Sequence, residues 1–285
     1  MSLVILVDSS ADIPRERAEA AGIEVVPMPV TIGGKTFFEG VDLSAAEFYA
    51  QFRALPELPK TSQPNPQSLL ERYNKILAQG DEVVAIHLSS RLSSTWSTAS
   101  MVREMTASPD KVHIVDSRGA SFGYGLLALL AAERAKSCLT WEELEPQVHD
   151  LRDRMRYIFT PDTLEFLVKG GRVSRAAGMV GNLLDLKPLM RVTAAGSIEA
   201  FAKVRTRRAA LQRLVQVMAQ EAEYPEEQVI GISHSDCRGD AELLAEEVRR
   251  RLPIKDVWFS DIGCVIGSHT GPGTLALFYL SNPGN

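Results

Sequence analysis

Val83-Val84-Ala85-Ile86-His87-Leu88-Ser89-Ser90-Arg91-Leu92-Ser93-Ser94-Thr95 is an apolar run that stops at a cluster of hydroxyls. Val83 to Leu88 is short and rich in β-branched residues, so it reads as a buried strand. A helix is expected to begin near Ser93, which makes the stretch a strand–loop–helix turn. In a parallel sheet that turn is where ligands find their crevice. The same alternation recurs on both sides. Leu3 to Val7 reads as a buried strand, and Pro14 opens a charged helix that stops at Gly22. Ile23 to Met28 is a further strand, and Val30 to Phe38 a hairpin turning at Gly33-Gly34. Ser44 and Glu47 form a capping box for a helix through Phe52. A proline-broken loop, 55–66, leads to a helix from about Gln67 to Gln79. Val112 to Val115 is a strand, and a small-residue helix follows Ser121. Thr140 and Glu143 cap a last helix reaching about Arg156. Strands alternating with helices predict a mostly parallel sheet with helices on both faces.

Beyond Arg156 the texture changes. Pro188 to Val192 and Ser197 to Arg205 read as strands joined by Ala194-Ala195-Gly196, and Thr206 caps a helix reaching Glu223. Val229 to His234, Val257 to Asp261 and Thr274 to Leu280 read as strands, with a helix over Ala241 to Leu252. Hairpins mixed with helices indicate an α+β unit. The expected fold is therefore a two-domain α/β protein, an α/β domain over 1–156 and an α+β domain over 157–285.

The global numbers exclude several classes. The 285 residues are 45% hydrophobic, enough for a sizeable core. A net charge of -5 gives no field that draws the chain to nucleic acid or anionic membranes. Cys138, Cys237 and Cys264 are an odd three with no CxxC pair, which argues for reduced thiols in a cytoplasmic protein. The apolar run Leu3 to Val7 is too short for a leader or a transmembrane segment, as is Leu126 to Ala132.

Three clusters of hydroxyls and glycines sit where apolar runs stop: Thr61-Ser62-Gln63-Pro64, Ser89 to Thr95, and Ser268-His269-Thr270-Gly271-Pro272-Gly273. None carries a carboxylate, so together they suit a negatively charged small molecule. Ser93 reads equally as a helix cap or as a ligand donor. Thr61 and Ser62 read as a plain turn or as further donors, held extended by Pro64 and Pro66. His269 is read in a glycine-rich loop, where a histidine is more often functional than in a core. Arg172, in Lys169-Gly170-Gly171-Arg172, offers an anion a bidentate partner or is a surface charge beside a turn.

Several motifs fail. Gly33-Gly34-Lys35-Thr36 ends like a phosphate loop, but Pro29 stands at the first glycine position. Gly231-Ile232-Ser233-His234-Ser235 lacks the last glycine of a nucleophile elbow. His234 and Cys237 have no second pair to complete a metal site. Lys203, Arg205, Arg207, Arg208 and Arg213 read as a solvated face or a docking patch.

In order along the chain, Val7-Asp8-Ser9, Thr61-Ser62-Gln63-Pro64, Ser89-Ser90-x-Leu92-Ser93-x-Thr95, Val115-Asp116-Ser117, Phe166-Leu167-x-Lys169-Gly170-Gly171-Arg172, Lys187-Pro188 and His269-x-Gly271-Pro272-Gly273 resemble the DegV family. The resemblance covers essentially the whole chain. It implies a DegV-type fold that binds a long-chain fatty acid between two domains. It further implies a non-catalytic carrier in phospholipid metabolism, presenting the carboxyl to a separate ATP-binding bacterial fatty acid kinase that makes acyl phosphate. By resemblance, Thr61 and Ser93 bind the carboxylate, with Arg172 and His269 at the same head group; Ser62, Thr270 and Gly271 complete the ligand-binding set. No metal or cofactor is expected besides the fatty acid. Ser94 stands where the family pattern has glycine, and Trp96 where it has tyrosine; both bear on ligand length and type. The rival reading is a serine hydrolase or acyltransferase using Ser93 or Ser89 with His269, for which nucleophile and base must lie within hydrogen-bond reach.

Overall fold

A computed structural model describes residues 2–173 and 186–282. In chain order its first part comprises β1 (Leu3–Asp8), α1 (Arg15–Ala21), β2 (Glu24–Val26), β3 (Pro29–Ile32), β4 (Lys35–Phe38), α2 (Ala45–Phe52), β5 (Lys60–Thr61), α3 (Pro66–Leu77), β6 (Glu82–His87), α4 (Thr95–Arg103), β7 (Val112–Asp116), α5 (Phe122–Ala135) and α6 (Trp141–Arg154). There follow β8 (Met155–Thr160), α7 (Glu165–Lys169), β9 (Lys187–Val192), β10 (Ile198–Val204), α8 (Arg207–Glu221), β11 (Val229–His234), α9 (Arg238–Arg251), β12 (Asp256–Asp261), α10 (Cys264–Thr270) and β13 (Leu275–Leu280).

The first part builds a four-stranded sheet, ordered β2-β1-β6-β7, with every pairing parallel. The strands read as continuous apolar runs because helices cover both faces. A small antiparallel sheet, β4-β3-β5, stands beside it. The later strands form a six-stranded sheet, β10-β9-β8-β13-β11-β12, antiparallel except for β11 with β12. Mixed α/β architecture with a parallel sheet is thus the observed fold. Arg156 is the second residue of β8.

Local signals act as expected at several ends. Ser44 and Glu47 close a reciprocal capping box on α2, and the Thr206 hydroxyl accepts from the Ala209 N–H at 3.1 Å at the start of α8. Thr140 does not cap α6. The Glu143 carboxylate instead accepts from the Leu139 N–H at 2.8 Å, and α6 ends at Arg154. Three short elements, β5, α7 and α10, have no local signature, because their few residues are held by tertiary packing.

Helix α5 lies between the two larger sheets, packed on β1 and β6 of one and on β8, β11 and β13 of the other. It is buried over most of its length, from Phe122 to Leu129 without a break. Gly123 lets the rings of Tyr157 and Phe278 lie directly against the helix; a Cβ there would overlap both.

Buried carboxylates tie the parts together. Asp8 accepts hydrogen bonds from Ser10, from the Tyr124 hydroxyl at 2.7 Å and from His87 Nδ1 at 3.0 Å. Burial alone would raise its pKa; the bond and charge of His87, with the two hydroxyls, outweigh burial and hold it below the usual range. Asp12 accepts from the Gly263 N–H at 2.9 Å and from Ser121 Oγ at 2.5 Å. Glu39 accepts from the Val265 N–H at 2.9 Å and from Ser9 Oγ at 2.5 Å. These two carboxylates receive the first N–H groups of α10. Burial pushes both upward, and Asp12 is raised further by the charge of Glu39.

A group that holds its proton more tightly when folded stabilises the fold at low pH and loses that contribution as pH rises through its folded pKa. Asp12→Asn should therefore unfold at a midpoint that gains on the wild type as pH rises from about 4 to about 8. Thermal unfolding across that range tests this; a midpoint difference that stays flat would dispose of the proton held at Asp12 and Glu39.

Candidate functional site

Where β6 ends, the chain turns through Leu88 to Ser94 before α4. Ser89 is fully buried, and its Oγ donates to the Gly196 carbonyl at 2.8 Å, locking this loop to the β9–β10 turn. Ser93 Oγ accepts from the Thr95 N–H at 3.2 Å and lies 2.9 Å from Thr95 Oγ1. Capping thus occupies part of its hydrogen-bonding capacity and leaves the rest for a ligand.

Thr61 reaches the same place through β5, which pairs with β3 at Val30↔Thr61. His269 arrives from α10, not from a glycine-rich loop as the sequence suggested: it occupies the last turn of that helix. Two glycines and a proline follow it, but the helix closes before them, because Cys264 and Val265 are anchored in an apolar cluster with Met28, Val30, Phe48 and Phe52. The His269 Nε2 lies 2.7 Å from Thr61 Oγ1. Its Nδ1 is buried with no partner among the described residues and faces Gly170, where a Cβ would come within 2.5 Å of it. Burial first, and then the charge of Arg172, push its pKa down to about 4. The imidazole is therefore neutral near pH 7.

Arg172 donates from Nε to the Leu92 carbonyl at 3.1 Å and from Nη1 to the Gly170 carbonyl at 2.6 Å. These backbone contacts clamp the guanidinium at the mouth of the site. Half-buried, it is pushed down in pKa by desolvation, and no ion pair joins it to a described carboxylate.

Thr61, Ser62, Ser93, Arg172, His269 and Thr270 line one end of a single cavity. Its remaining walls are mostly apolar, among them Leu88, Phe159, Leu167, Ile266, Ala276 and Phe278, with Gln63, Ser94, Ser121 and Thr274 as further polar side chains on the described lining. None of the described lining residues is Asp or Glu, and Arg172 is the one residue there with a permanent charge. The arrangement suits an amphiphile with an anionic end. Gly271 is not on the wall. The space its missing side chain leaves is filled by the Phe166 ring, so it serves packing of α7 on α10. Ser94 Oγ donates to Gln63 Oε1 at 3.0 Å and joins two loops across the mouth, whereas Trp96 lies off the lining.

Sequence reading missed Gly170 as the seat of His269 and the Leu92 carbonyl as the clamp on Arg172. The Lys-Gly-Gly-Arg motif did flag the segment, but only for its cation. Ser89, a rival nucleophile, spends its hydroxyl on Gly196, and the hydroxyl beside His269 belongs to Thr61, not to Ser93.

Residues 2–282 match the model described as "Uncharacterised protein, DegV family". The chain belongs to the DegV family. A DegV domain-containing protein of Clostridium perfringens is 37% identical over 284 residues, covering 98% of this chain and 97% of that one. The solved structure described as "Fatty Acid Binding of a DegV family Protein from Thermus thermophilus" superposes with a TM-score of 0.92 at 29% identity, over 99% of this chain and all of that one. Similar too is DegV of Bacillus subtilis, described as "a fatty acid binding protein", with a TM-score of 0.89 at 30% identity over 99% and 100% of the two chains.

A neutral, buried His269 leaves a clear signature. Nuclear magnetic resonance titration of the apo protein should place its pKa near 4, against an ordinary 6.5. The unfolded chain takes up a proton that the fold excludes, so stability should fall as pH drops from 6.5 toward 4. An ordinary imidazole titration near 6.5 would contradict the buried geometry.

Proposed function

We propose that the chain binds a long-chain fatty acid in this cavity and presents its carboxyl group to a separate ATP-binding kinase, which converts it to acyl phosphate. The observation that carries the reading is an apolar cavity without acidic lining whose polar end gathers Thr61, Ser93, Arg172 and His269. The fatty-acid binding described for the Thermus thermophilus and Bacillus subtilis relatives supports it. In this reading the ligand lies between residues 1–156, which supply Thr61 and Ser93, and residues 157–285, which supply Arg172 and His269.

The energetics divide between the two ends of the ligand. A sixteen-carbon tail gains about 0.8 kcal/mol per buried methylene, on the order of 10 kcal/mol before association costs. The tail supplies affinity. A carboxylate leaving water must be met by donors, or it takes up a proton instead. In this reading the imidazole carries its proton on Nε2 and donates to Thr61 Oγ1, which leaves the Thr61 hydroxyl hydrogen for the carboxylate, with that of Ser93 beside it. Nδ1 is then the unprotonated nitrogen, buried against Gly170 with no partner among the described residues. Arg172 balances the charge, and it continues to do so as a phosphoryl group is transferred by the partner's machinery.

The kinase role rests on the family resemblance and on what the described residues offer. Gly33 and Gly34 turn the β3–β4 hairpin and so link two strands, not a strand and a helix. Among the described residues no cluster of three or more His, Cys, Asp or Glu is placed to hold a metal ion. No described helix is long and apolar enough to cross a membrane, and Cys138, Cys237 and Cys264 are free thiols. A cytosolic location belongs to the same proposal, as expected from the odd number of cysteines without a CxxC pair.

Native mass spectrometry of protein purified without added lipid should show a co-purifying fatty acid of roughly C14 to C18, the tail length that matches the burial estimate. The free acid should bind more tightly than its methyl ester, since esterification removes the charge the donors meet; equal affinities would defeat the assignment of the polar end. Thr61→Ala and Ser93→Ala should each weaken binding by about 1–3 kcal/mol, measured against the loss of about 1 kcal/mol in apo stability that removing the partner of the Thr95 N–H or of His269 Nε2 brings by itself. Acyl phosphate should form only when a kinase and ATP are supplied, and His269→Ala should reduce it more than it reduces binding. ATP-dependent acyl phosphate made by this chain alone would overturn the carrier reading.

A further inference from the structure

We propose that Tyr157 and Val192 close the inner end of the cavity and thereby set the longest acyl chain the protein holds. The inference rests on the fatty-acid reading above.

The polar end of the cavity lies at one end of the paired strands β8 and β13. Thr274 Oγ1 donates to the Thr270 carbonyl at 3.0 Å, next to His269, and Leu275 pairs with Thr160. Along the pair the register runs inward, Ala276 opposite Phe159 and Phe278 opposite Tyr157, and all four of these residues line the cavity. At about 3.3 Å per residue, Tyr157 lies about 7 Å deeper than Phe159.

On the other side of β8, strand β9 pairs at Phe159↔Met190 and Ile158↔Arg191, and there the pairing stops. The next partners in register would be Tyr157 and Val192, so a breach opens in the sheet between them. Both residues line the cavity, and both also line a second cleft beyond it. Charged side chains make up much of that cleft's wall: Arg118 and Arg152 are paired with Asp153, Arg191 with Glu199, and Arg213 and Glu221 stand beside them. The Tyr157 ring is the partition. It stands edge-on to Phe278 with centroids 5.9 Å apart, and it fills the space that side chains at residues 119 and 123 would need. The residue is 4% exposed, and its hydroxyl has no hydrogen-bond partner among the described residues. Packing alone therefore holds the ring in the breach.

The two sides of the partition treat a methylene differently. Inside, each added methylene raises affinity about fourfold, the equivalent of about 0.8 kcal/mol. Past Tyr157 the chain would emerge among guanidinium groups and water, and further methylenes would add nothing.

The test measures dissociation constants of the delipidated full-length protein for saturated fatty acids from about C10 to about C22, a series in which each methylene inside has its own increment. Wild type should show a steep rise that breaks at one length. Tyr157→Ala and Val192→Ala should move the break to chains longer by about two carbons or more, the methylenes newly covered. Tyr157→Phe, which keeps the ring and loses only the unpartnered hydroxyl, should leave the break in place. Val192→Ala removes little volume and carries the test should Tyr157→Ala fail to fold. An unmoved break in a folded, fatty-acid-binding alanine variant overturns the partition, as does a break that moves in Tyr157→Phe. Failure of wild type to bind at any length would instead overturn the fatty-acid reading, and the partition with it.

Discussion

Helix α5 is apolar on nearly every side, and both larger sheets use it as their covering layer. A sheet needs an apolar layer on each face that leaves water. Here one helix serves the parallel sheet through β1 and β6 and the six-stranded sheet through β8, β11 and β13. Sharing it fixes the two sheets relative to each other, and that relation creates the cavity. The C-terminal end of β6, the start of α4 and the end of α10 then converge on one side of the shared layer. Gly123 matters in the same way, because it sets how closely Tyr157 and Phe278 approach the helix.

The polar contacts between the parts are specific. Asp12 and Glu39 hold the first N–H groups of α10, and Phe166 fills the space beside Gly271 at its other end. A seven-residue helix has little stability of its own, so these contacts and the aromatic residues of α2 decide where it lies. His269 inherits that placement. Its low pKa follows from burial and from Arg172 acting together, which leaves a neutral imidazole near the one cation among the described lining residues of a mostly apolar cavity. That division of labour suits an anion whose tail, not its charge, supplies most of the binding.

Much of this was legible along the chain. The parallel sheet shows in Leu3 to Val7 and Val83 to Leu88, since strands buried on both faces must be apolar throughout. The β3–β4 hairpin, the α2 capping box and the Thr206 cap are contacts between residues a few positions apart, so local sequence specifies them. Thr140 shows the limit of such reasoning: the right residue stands at the right spacing, yet Glu143 turns to Leu139 instead. His269 shows it more sharply. Glycine and proline after it suggested a loop, but burial of Cys264 and Val265 pulls the preceding residues into a helix.

Strand and helix alternation, family membership, and the roster of hydroxyls, cation and imidazole at the polar end can be read along the chain, because each depends on residue type and short spacing. Which of these residues meet is settled by the packing of the fold. Thr61 and His269 are separated by 208 positions, and their contact exists because β5 and α10 pack together. Packing also decides that Ser89 is tied to Gly196, that Gly271 is a packing position, and that Tyr157 stands where β8 and β9 part. Each of these is a contact across the fold. Such contacts are set by the packing of whole elements against one another, and nothing in the spacing of residues along a single element encodes them.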